Sequence, residues 1–430
     1  MRILWLKSDL LLPLDKGGRL RTWHLMRHLA KRHEITYLSF SENGQELSDM
    51  TGMKQVASRV VTVPRSDPEK RSLLFYMDAA RYLANPLPYA VAKYQSRAYK
   101  ATLLTLLREQ AYDLIVCDFL VPAVNLPKAL PCPAVLFTHN VEAEIWRRHT
   151  EMKTSVPARW MYRLQHKRML EFERDTLKRF DGVLAVSDAD RDTFARLYPD
   201  SAKTPTWVIR TGVDTDYFVP SEAPAPAPHL VFTGSMDWLP NEDAMRYFCH
   251  DVLPLIREQE PRVSLSIVGR APTPAVRALA DGDRIEVTGT VDDVRPFMQK
   301  AAVYIVPLRI GGGTRLKIFE AMSMGKAVVS TTVGAEGLPV SDGEHALIAD
   351  APRAFADAVL TLLRDTQKRR ALETAARSLV VNHYDWSAVA GELDDALRQC
   401  ASRHGRRKGL PHILKPRGAA SVAKGRKRAS

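Results

Sequence analysis

Short, continuously apolar runs recur along the first half of the chain, at 3–6, 35–38, 114–117, 134–137 and 183–186. Each is bounded by turn residues and followed by a helix-length amphipathic stretch. Runs without polar alternation suit strands buried on both faces of a parallel sheet. The rhythm restarts after Ala223 with runs at 230–232, 265–268, 285–287, 303–306, 327–330 and 346–348. The pattern predicts an α/β chain of two doubly wound parallel-sheet units in tandem. Residues 1–205 are expected to form the first unit and 206–385 the second, with the Pro-rich segment 219–229 near their boundary. Its four prolines favour an extended spacer over a helix. Amphipathic helices are expected at 351–364, 367–381 and 386–399, and 386–400 is a candidate to cross back to the first unit.

The chain has 430 residues and a formal net charge of +13. Ten of its Lys and Arg residues lie in 401–430, which hold no Asp or Glu, so the first 400 residues carry only +3. That tail is expected to be disordered, serving either as a grip on anionic lipid or polyphosphate or as a solvated solubilising segment. A basic helix is expected at 156–179, with Arg159, Arg163 and Lys167 beside Trp160 and Met161. Packing on its own sheet with a solvated basic face is the stronger reading of it, and lying on a membrane surface the weaker. The four cysteines are widely spaced without a C-x-x-C pair, and no uncharged apolar run reaches 18 residues. A reduced, cytoplasmic, non-spanning chain is expected.

The sharpest local signal is 307–326, which contains Gly311, Gly312, Gly313, Thr314, Arg315, Lys317 and Glu320 and reads as strand, glycine loop, helix. Glycines let backbone N–H groups approach an anion, and the helix start adds unpaired amides and the positive end of its dipole, so a phosphate belongs there. At 100° per residue Gly313, Lys317 and Glu320 share one helix face. Lys317 can then reach a phosphate, while Glu320, about 10 Å further on, meets something like a ribose. A second glycine turn, Gly17-Gly18, follows the first strand and gains its value from position, because ligands of open α/β sheets bind at the carboxyl ends of strands. His139 lies just after another strand and is a candidate to hydrogen-bond a sugar or move a proton, a capping and turn role for its segment being the alternative. Asp188 and Asp190 form a possible chelating pair, but Ser187 with Asp190 reads better as a helix capping box. No G-x-G-x-x-G and no complete P-loop occur, which argues against nicotinamide enzymes and P-loop ATPases, and no G-x-S-x-G, H-E-x-x-H or paired Cys ligands occur either.

The stretch 311–330, followed by 334–338, resembles the donor-nucleotide signature of family 4 glycosyltransferases with the GT-B fold. Supporting stretches are 211–214, 232–241, 267–270, 287–290 and 342–347. The stretches 12–24 and 138–146 are similar to a bacterial branch tied to exopolysaccharide and exosortase systems. The resemblance implies retaining transfer of a sugar from a nucleotide-diphosphate donor, held by the second unit, to a lipid-linked or polysaccharide acceptor held by the first. No cofactor and no metal are implied. By motif, Glu320 corresponds to the second Glu of the family's E-x7-E element and Gly17 and Gly18 to the loop facing the diphosphate. His139 corresponds to the histidine near the donor sugar, and Gly234 falls in a donor-side stretch. Two departures stand out. The first Glu of E-x7-E is Gly312, so backbone amides of Gly313 and Thr314 are left to read the sugar, and 235–241 lacks the family's cations, leaving Arg315 and Lys317 to neutralise the leaving diphosphate. The alternatives are another GT-B activity, a nucleotide-sugar epimerase or a phosphorylase, or a protein that binds nucleic acid through its basic tail.

Overall fold

The computed structural model describes residues 1–14, 17–42, 47–65, 85–152, 155–201, 203–221, 228–310 and 316–407. Among these the chain builds two all-parallel sheets. The first contains β1 (Arg2–Leu6), β2 (Glu34–Glu42), β3 (Arg59–Arg65), β4 (Leu114–Asp118), β5 (Ala134–Phe137), β6 (Gly182–Ala185) and β7 (Thr206–Val208), in the order β3-β2-β1-β4-β5-β6-β7. The second contains β8 (His229–Thr233), β9 (Ser264–Val268), β10 (Ile285–Gly289), β11 (Val303–Val306), β12 (Ala327–Ser330) and β13 (Leu347–Ile348), in the order β10-β9-β8-β11-β12-β13.

The unalternating strands follow from two-sided burial. On the first sheet Ile3, Trp5, Ile35, Tyr37, Val116 and Phe137 pack into one apolar cluster. Their neighbours Leu4, Leu6, Leu38, Ile115, Cys117 and Leu136 pack into another. Because successive side chains point to opposite faces, both parities must be apolar. The strand order reverses between β1 and β4 in the first sheet and between β8 and β11 in the second. These reversals open a crevice at the carboxyl ends of the strands, where open α/β sheets take their ligands.

Three expectations change. β7 pairs in parallel with β6, Leu184 opposite Trp207, so the first unit runs past 205 and the expected boundary at 205/206 leaves its edge strand in the wrong unit. The last helix, α7 (Trp386–Arg407, numbered after the six helices introduced below), extends through the first residues of the segment expected to be a disordered tail. Residues 408–430 of that tail lie outside the described residues, as do 222–227 of the proline-rich spacer. Strand β3 was not foreseen, since its alternating Arg-Val-Val-Thr-Val-Pro-Arg lies at a half-exposed edge and lacks the continuous apolar run of a central strand.

Helix α7 packs against α1 (Gly17–Leu29) of the first unit. Trp386, Val389, Leu393 and Leu397 join the apolar cluster of Trp5, Leu25 and Leu29. His24 stacks on Trp386 at 5.1 Å and 3°, and Asp394 accepts from His33 at 2.8 Å. A Cβ at Gly212 would lie 2.7 Å from the Trp386 ring, so only glycine lets the chain leaving the first unit pass there. Cys117, Cys132 and Cys400 are buried, and Cys249 is half-buried.

Candidate active site

At the first reversal, β4 ends on Asp118, whose carboxylate is 0 % exposed. A buried carboxylate is tolerable only with charge and hydrogen-bond partners, and four side chains from three elements supply them. Oδ2 accepts from Trp5 Nε1 on β1 at 2.9 Å and from the Thr22 hydroxyl on α1 at 2.6 Å. Lys7 Nζ, one residue past β1, lies 2.9 Å from the same oxygen, and Oδ1 faces Nε2 of His139, just beyond β5, at 2.7 Å. Lys7 and His139, together with the hydrogen bonds, outweigh burial and hold the Asp118 carboxyl well below the usual carboxylate range.

His139 is buried, and its ring stacks on Phe119 at 3.9 Å and 5°. Phe119 adopts φ +73°, an unusual backbone state for a bulky residue, right after β4. Burial lowers the His139 pKa to about 4 against the upward pull of Asp118. The ring is therefore neutral at pH 7, and with Asp118 taking the Nε2 proton the network assigns a lone pair to Nδ1. That nitrogen faces the start of α1: a Cβ on Gly18 would lie 3.9 Å from Nδ1 and 2.9 Å from Phe119 Cζ. Glycine is required at 18 for this close approach, whereas a Cβ at Gly17 would meet nothing within 4 Å.

The loop carrying His139 leads into α2 (Glu142–Met152), whose first amides are capped from a distance. Glu173, on α3 (Val156–Leu177), accepts from Glu142 N at 3.0 Å, Ala143 N at 3.2 Å and the Tyr198 hydroxyl at 2.5 Å. Asp188 and Asp190 open α4 (Asp188–Leu197). Asp190 N donates to Ser187 Oγ at 3.1 Å, so Ser187 caps the helix, and the Ser187 hydroxyl donates to Asp190 Oδ2 at 2.7 Å, a side-chain bond in place of the backbone return of a full capping box. Arg191 and Arg210 bind Asp188, and among the described residues no cluster of three His, Cys, Asp or Glu side chains could hold a metal ion.

At the second reversal, Gly234 follows β8 and its neighbours crowd it. A Cβ there would lie 2.7 Å from Asn241 Nδ2 and 2.8 Å from Lys317 Nζ. Asn241, on α5 (Leu239–Tyr247), donates from Nδ2 to Ser235 O at 2.8 Å and accepts Lys317 Nζ on Oδ1 at 2.9 Å. Lys317 Nζ also sits 4.1 Å over the Phe232 ring. Lys317 and Glu320 lie one turn apart on α6 (Leu316–Ser323), which follows the glycine-rich segment after β11 in the sequence. Burial pushes the Glu320 carboxyl up to about 7, with the Lys317 charge opposing. From the next strand, Arg270 Nε donates to Ser235 Oγ at 2.9 Å. A cation thus reaches the 235–241 loop from outside it.

The structure thus brings Gly18 to His139, and Gly234 to Lys317, on separate sheets. Gly311, Gly312, Gly313, Thr314 and Arg315 lie outside the described residues. Sequence reasoning missed Asp118, Lys7, Thr22 and Arg270, and gave Asn241 no role. Their one available signal was a polar side chain in the first residues after, or at the end of, an apolar run at a carboxyl edge.

Comparison with known proteins bears on both halves. Residues 16–217 match the model of Glycosyltransferase Family 4, and 227–365 match Glycosyl transferases group 1. A phosphatidyl-myo-inositol mannosyltransferase from Mycobacterium leprae is 36% identical over 149 residues, covering 33% of this chain and 40% of the relative. Its namesake from Mycobacterium tuberculosis is 30% identical over 227 residues, covering 49% of this chain and 58% of the relative. The chain therefore spans about half the length of the curated relatives it matches. Anabaena Alr3699/HepE, solved in complex with UDP, superposes with TM-score 0.63 at 17% identity over 93% of this chain and 100% of its own. Sucrose-phosphate synthase from Thermosynechococcus elongatus gives 0.62 at 17% over 94% and 100%. At that identity the likeness concerns the fold.

Proposed function

The chain belongs to the family 4 glycosyltransferases and has the GT-B fold, and we infer that it is a retaining enzyme moving a sugar from a nucleotide-diphosphate donor to a lipid-linked or polysaccharide acceptor. The observation that carries this reading is the cluster at the second reversal. There Gly234, Asn241 and Lys317 converge, and Glu320 lies one turn further along the helix that follows the glycine-rich segment. The names of the mycobacterial relatives favour a lipid acceptor, and one relative is GDP-mannose-dependent, which makes GDP-mannose the first donor to try.

In this reading the ionised Glu320 accepts the ribose hydroxyls. Lys317, Arg270 and Arg315 offset the charge of the leaving diphosphate, alongside amides of Gly311, Gly312, Gly313 and Thr314. Charge stabilisation of this kind contributes several kcal/mol to barrier lowering. Gly17 and Gly18 bring the start of α1 to the diphosphate from the other unit. His139, neutral and with Nδ1 unprotonated, accepts a hydrogen bond from a donor-sugar hydroxyl; with a pKa of about 4 it is a weak base at neutral pH. The bond from the anomeric carbon to the diphosphate breaks while the acceptor hydroxyl attacks from the same face, and its proton passes to the departing phosphoryl oxygen. No metal takes part in this reading.

The acceptor's location at an anionic, cytoplasmic membrane face is supported by α3. Val156, Arg159, Trp160, Arg163 and Lys167 all lie exposed on one face of it, and Trp160 is 66 % exposed. Trp with flanking basic residues is the composition that settles at a lipid headgroup layer. No helix among the described residues is long and apolar enough to cross a membrane.

The test is nucleoside diphosphate release from GDP-, UDP- and ADP-sugars, with and without a membrane lipid extract as acceptor and with EDTA in a parallel series. Acceptor-dependent release that survives EDTA, and that falls to background in Lys317→Ala with the fold intact, is expected. Release that needs a divalent ion removes the metal-free step, conversion of the donor sugar without acceptor replaces transfer by epimerisation, and a need for inorganic phosphate replaces it by phosphorolysis.

A further inference from the structure

One buried charge is left unused by the site as drawn. Arg21 lies on α1, one turn beyond Gly18, and is 6 % exposed. Its Nε has no hydrogen-bond partner, and among the described residues no hydrogen bond or ion pair holds its guanidinium. Nearly every other buried cation here is tied down. Lys7 bonds Thr22 and Asp118, Arg19 bonds Asp9, and Lys326 donates to the carbonyls of Gln299 and Ala301. An unpaired guanidinium out of water costs folding energy and is retained where something else pairs it.

The surroundings specify what that is. Asp118 and Asp190 are the carboxylates whose fields reach Arg21, from β4 and from the start of α4, while burial lowers its pKa to about 10 and leaves it charged at neutral pH. Asp118 is already neutralised by Lys7 at 2.9 Å, and Asp190 already accepts from the Ser187 hydroxyl. Arg21 in turn acts on His139, lowering its pKa. The carboxyl edge of the first sheet therefore holds one guanidinium in excess of its committed anions, close to the histidine whose Nδ1 faces Gly18.

We propose that Arg21 is a substrate-binding residue that takes a phosphoryl oxygen. A guanidinium suits this better than an ammonium, because its planar fork can pair two oxygens at once. The oxygen comes from the diphosphate of the donor or from a phosphate on the acceptor. This rests on the transferase reading for the identity of the substrate, and its test does not.

Arg21→Met keeps the length of the side chain and removes the charge. Calorimetric titration of wild type and Arg21→Met with GDP, UDP, their nucleosides and pyrophosphate, together with acceptor KM, separates the outcomes. If the donor supplies the oxygen, affinity for the diphosphates and pyrophosphate falls at least about tenfold while nucleoside affinity is unchanged. If the acceptor supplies it, diphosphate affinity holds and acceptor KM rises by that factor. In both cases the ligand-free variant unfolds at the wild-type temperature or above it. Unchanged diphosphate, pyrophosphate and acceptor parameters overturn the proposal, as does a variant that only loses stability. If wild type binds no nucleoside diphosphate, the transferase reading falls and the pyrophosphate titration alone decides Arg21: a wild-type affinity that Arg21→Met loses upholds it, and equal affinity or none in wild type overturns it.

Discussion

Glu320 offers the most quantitative test of the donor site. Its carboxyl titrates at about 7 in the ligand-free protein because burial disfavours the charged form more than Lys317 restores it. If ribose hydroxyls donate to the carboxylate, only the ionised form binds well, and the apparent dissociation constant scales as one plus ten to the power of pKa minus pH. Affinity for a nucleoside diphosphate should then be about tenfold weaker at pH 6 than at pH 8. Part of any such slope belongs to the nucleotide's own phosphate, and Glu320→Gln separates the two, since it keeps the nucleotide and removes the carboxyl. Exchanging charge-assisted hydrogen bonds for neutral ones costs about 1–3 kcal/mol, so the variant should bind about 5- to 150-fold more weakly at pH 8 and show only the shallow slope of the ligand. The assay is isothermal titration with GDP and UDP across pH 6–8, repeated with the 2′,3′-dideoxy analogues. Wild type should discriminate against the dideoxy forms and the variant should not. A wild-type affinity that is flat in pH, or a variant with the wild-type slope and ribose discrimination, refutes the assignment.

Two further perturbations reach other parts of the chain. Asp118→Ala strands the buried Lys7 charge and should cost about 3–5 kcal/mol in urea unfolding, with Lys7→Met added to it recovering much of the loss; a loss below about 1 kcal/mol contradicts the network. Folding lowers the Asp118 pKa, so its contribution is fully present above the unfolded value of about 4 and disappears as pH falls below that, giving wild type an acid-limb loss that Asp118→Ala lacks. On α3, Arg159→Glu with Arg163→Glu should weaken sedimentation with phosphatidylglycerol vesicles by about 30-fold or more at about 1 kcal/mol per basic residue removed, and Trp160→Ala should weaken it independently of salt; equal binding to phosphatidylcholine vesicles refutes the membrane role.

Much of the fold was legible because burial on both faces writes itself into sequence. All eleven expected apolar runs coincide with strands, and the one restart of the rhythm separates the two sheets. The strands that escaped notice are edges. β3 is half exposed and alternates, and β7 is only three residues long and half exposed, so neither needs a continuous apolar run. The end of α7 was misplaced for a related reason. Residues 401–407 are rich in Arg and carry no apolar stripe, yet they prolong a helix already anchored through Trp386, Val389 and Leu393, and propagation adds residues at little cost once a helix is nucleated.

The two halves of the site were unequally legible, and the physical cause is sequence separation. Lys317 and Glu320 sit one helical turn apart after a glycine loop, so local geometry exposes their partnership. Asp118 instead gathers Trp5, Lys7, Thr22 and His139 from three elements spread over more than 130 residues, and no spacing rule links them. What joins them is the reversal of strand order between β1 and β4, which sets the ends of those strands side by side. That arrangement also bears on the chemistry proposed for His139, hydrogen bonding or proton transfer. A general base at pH 7 needs a pKa near 7, and the same burial that makes the Asp118 contact strong drives the imidazole to about 4. With Asp118 fully committed and Arg21 adding positive charge nearby, protonating His139 would place a third cation against one carboxylate. The electrostatics favour a fixed, neutral hydrogen-bond acceptor, and the proton released by an acceptor hydroxyl has its better destination on the departing phosphate.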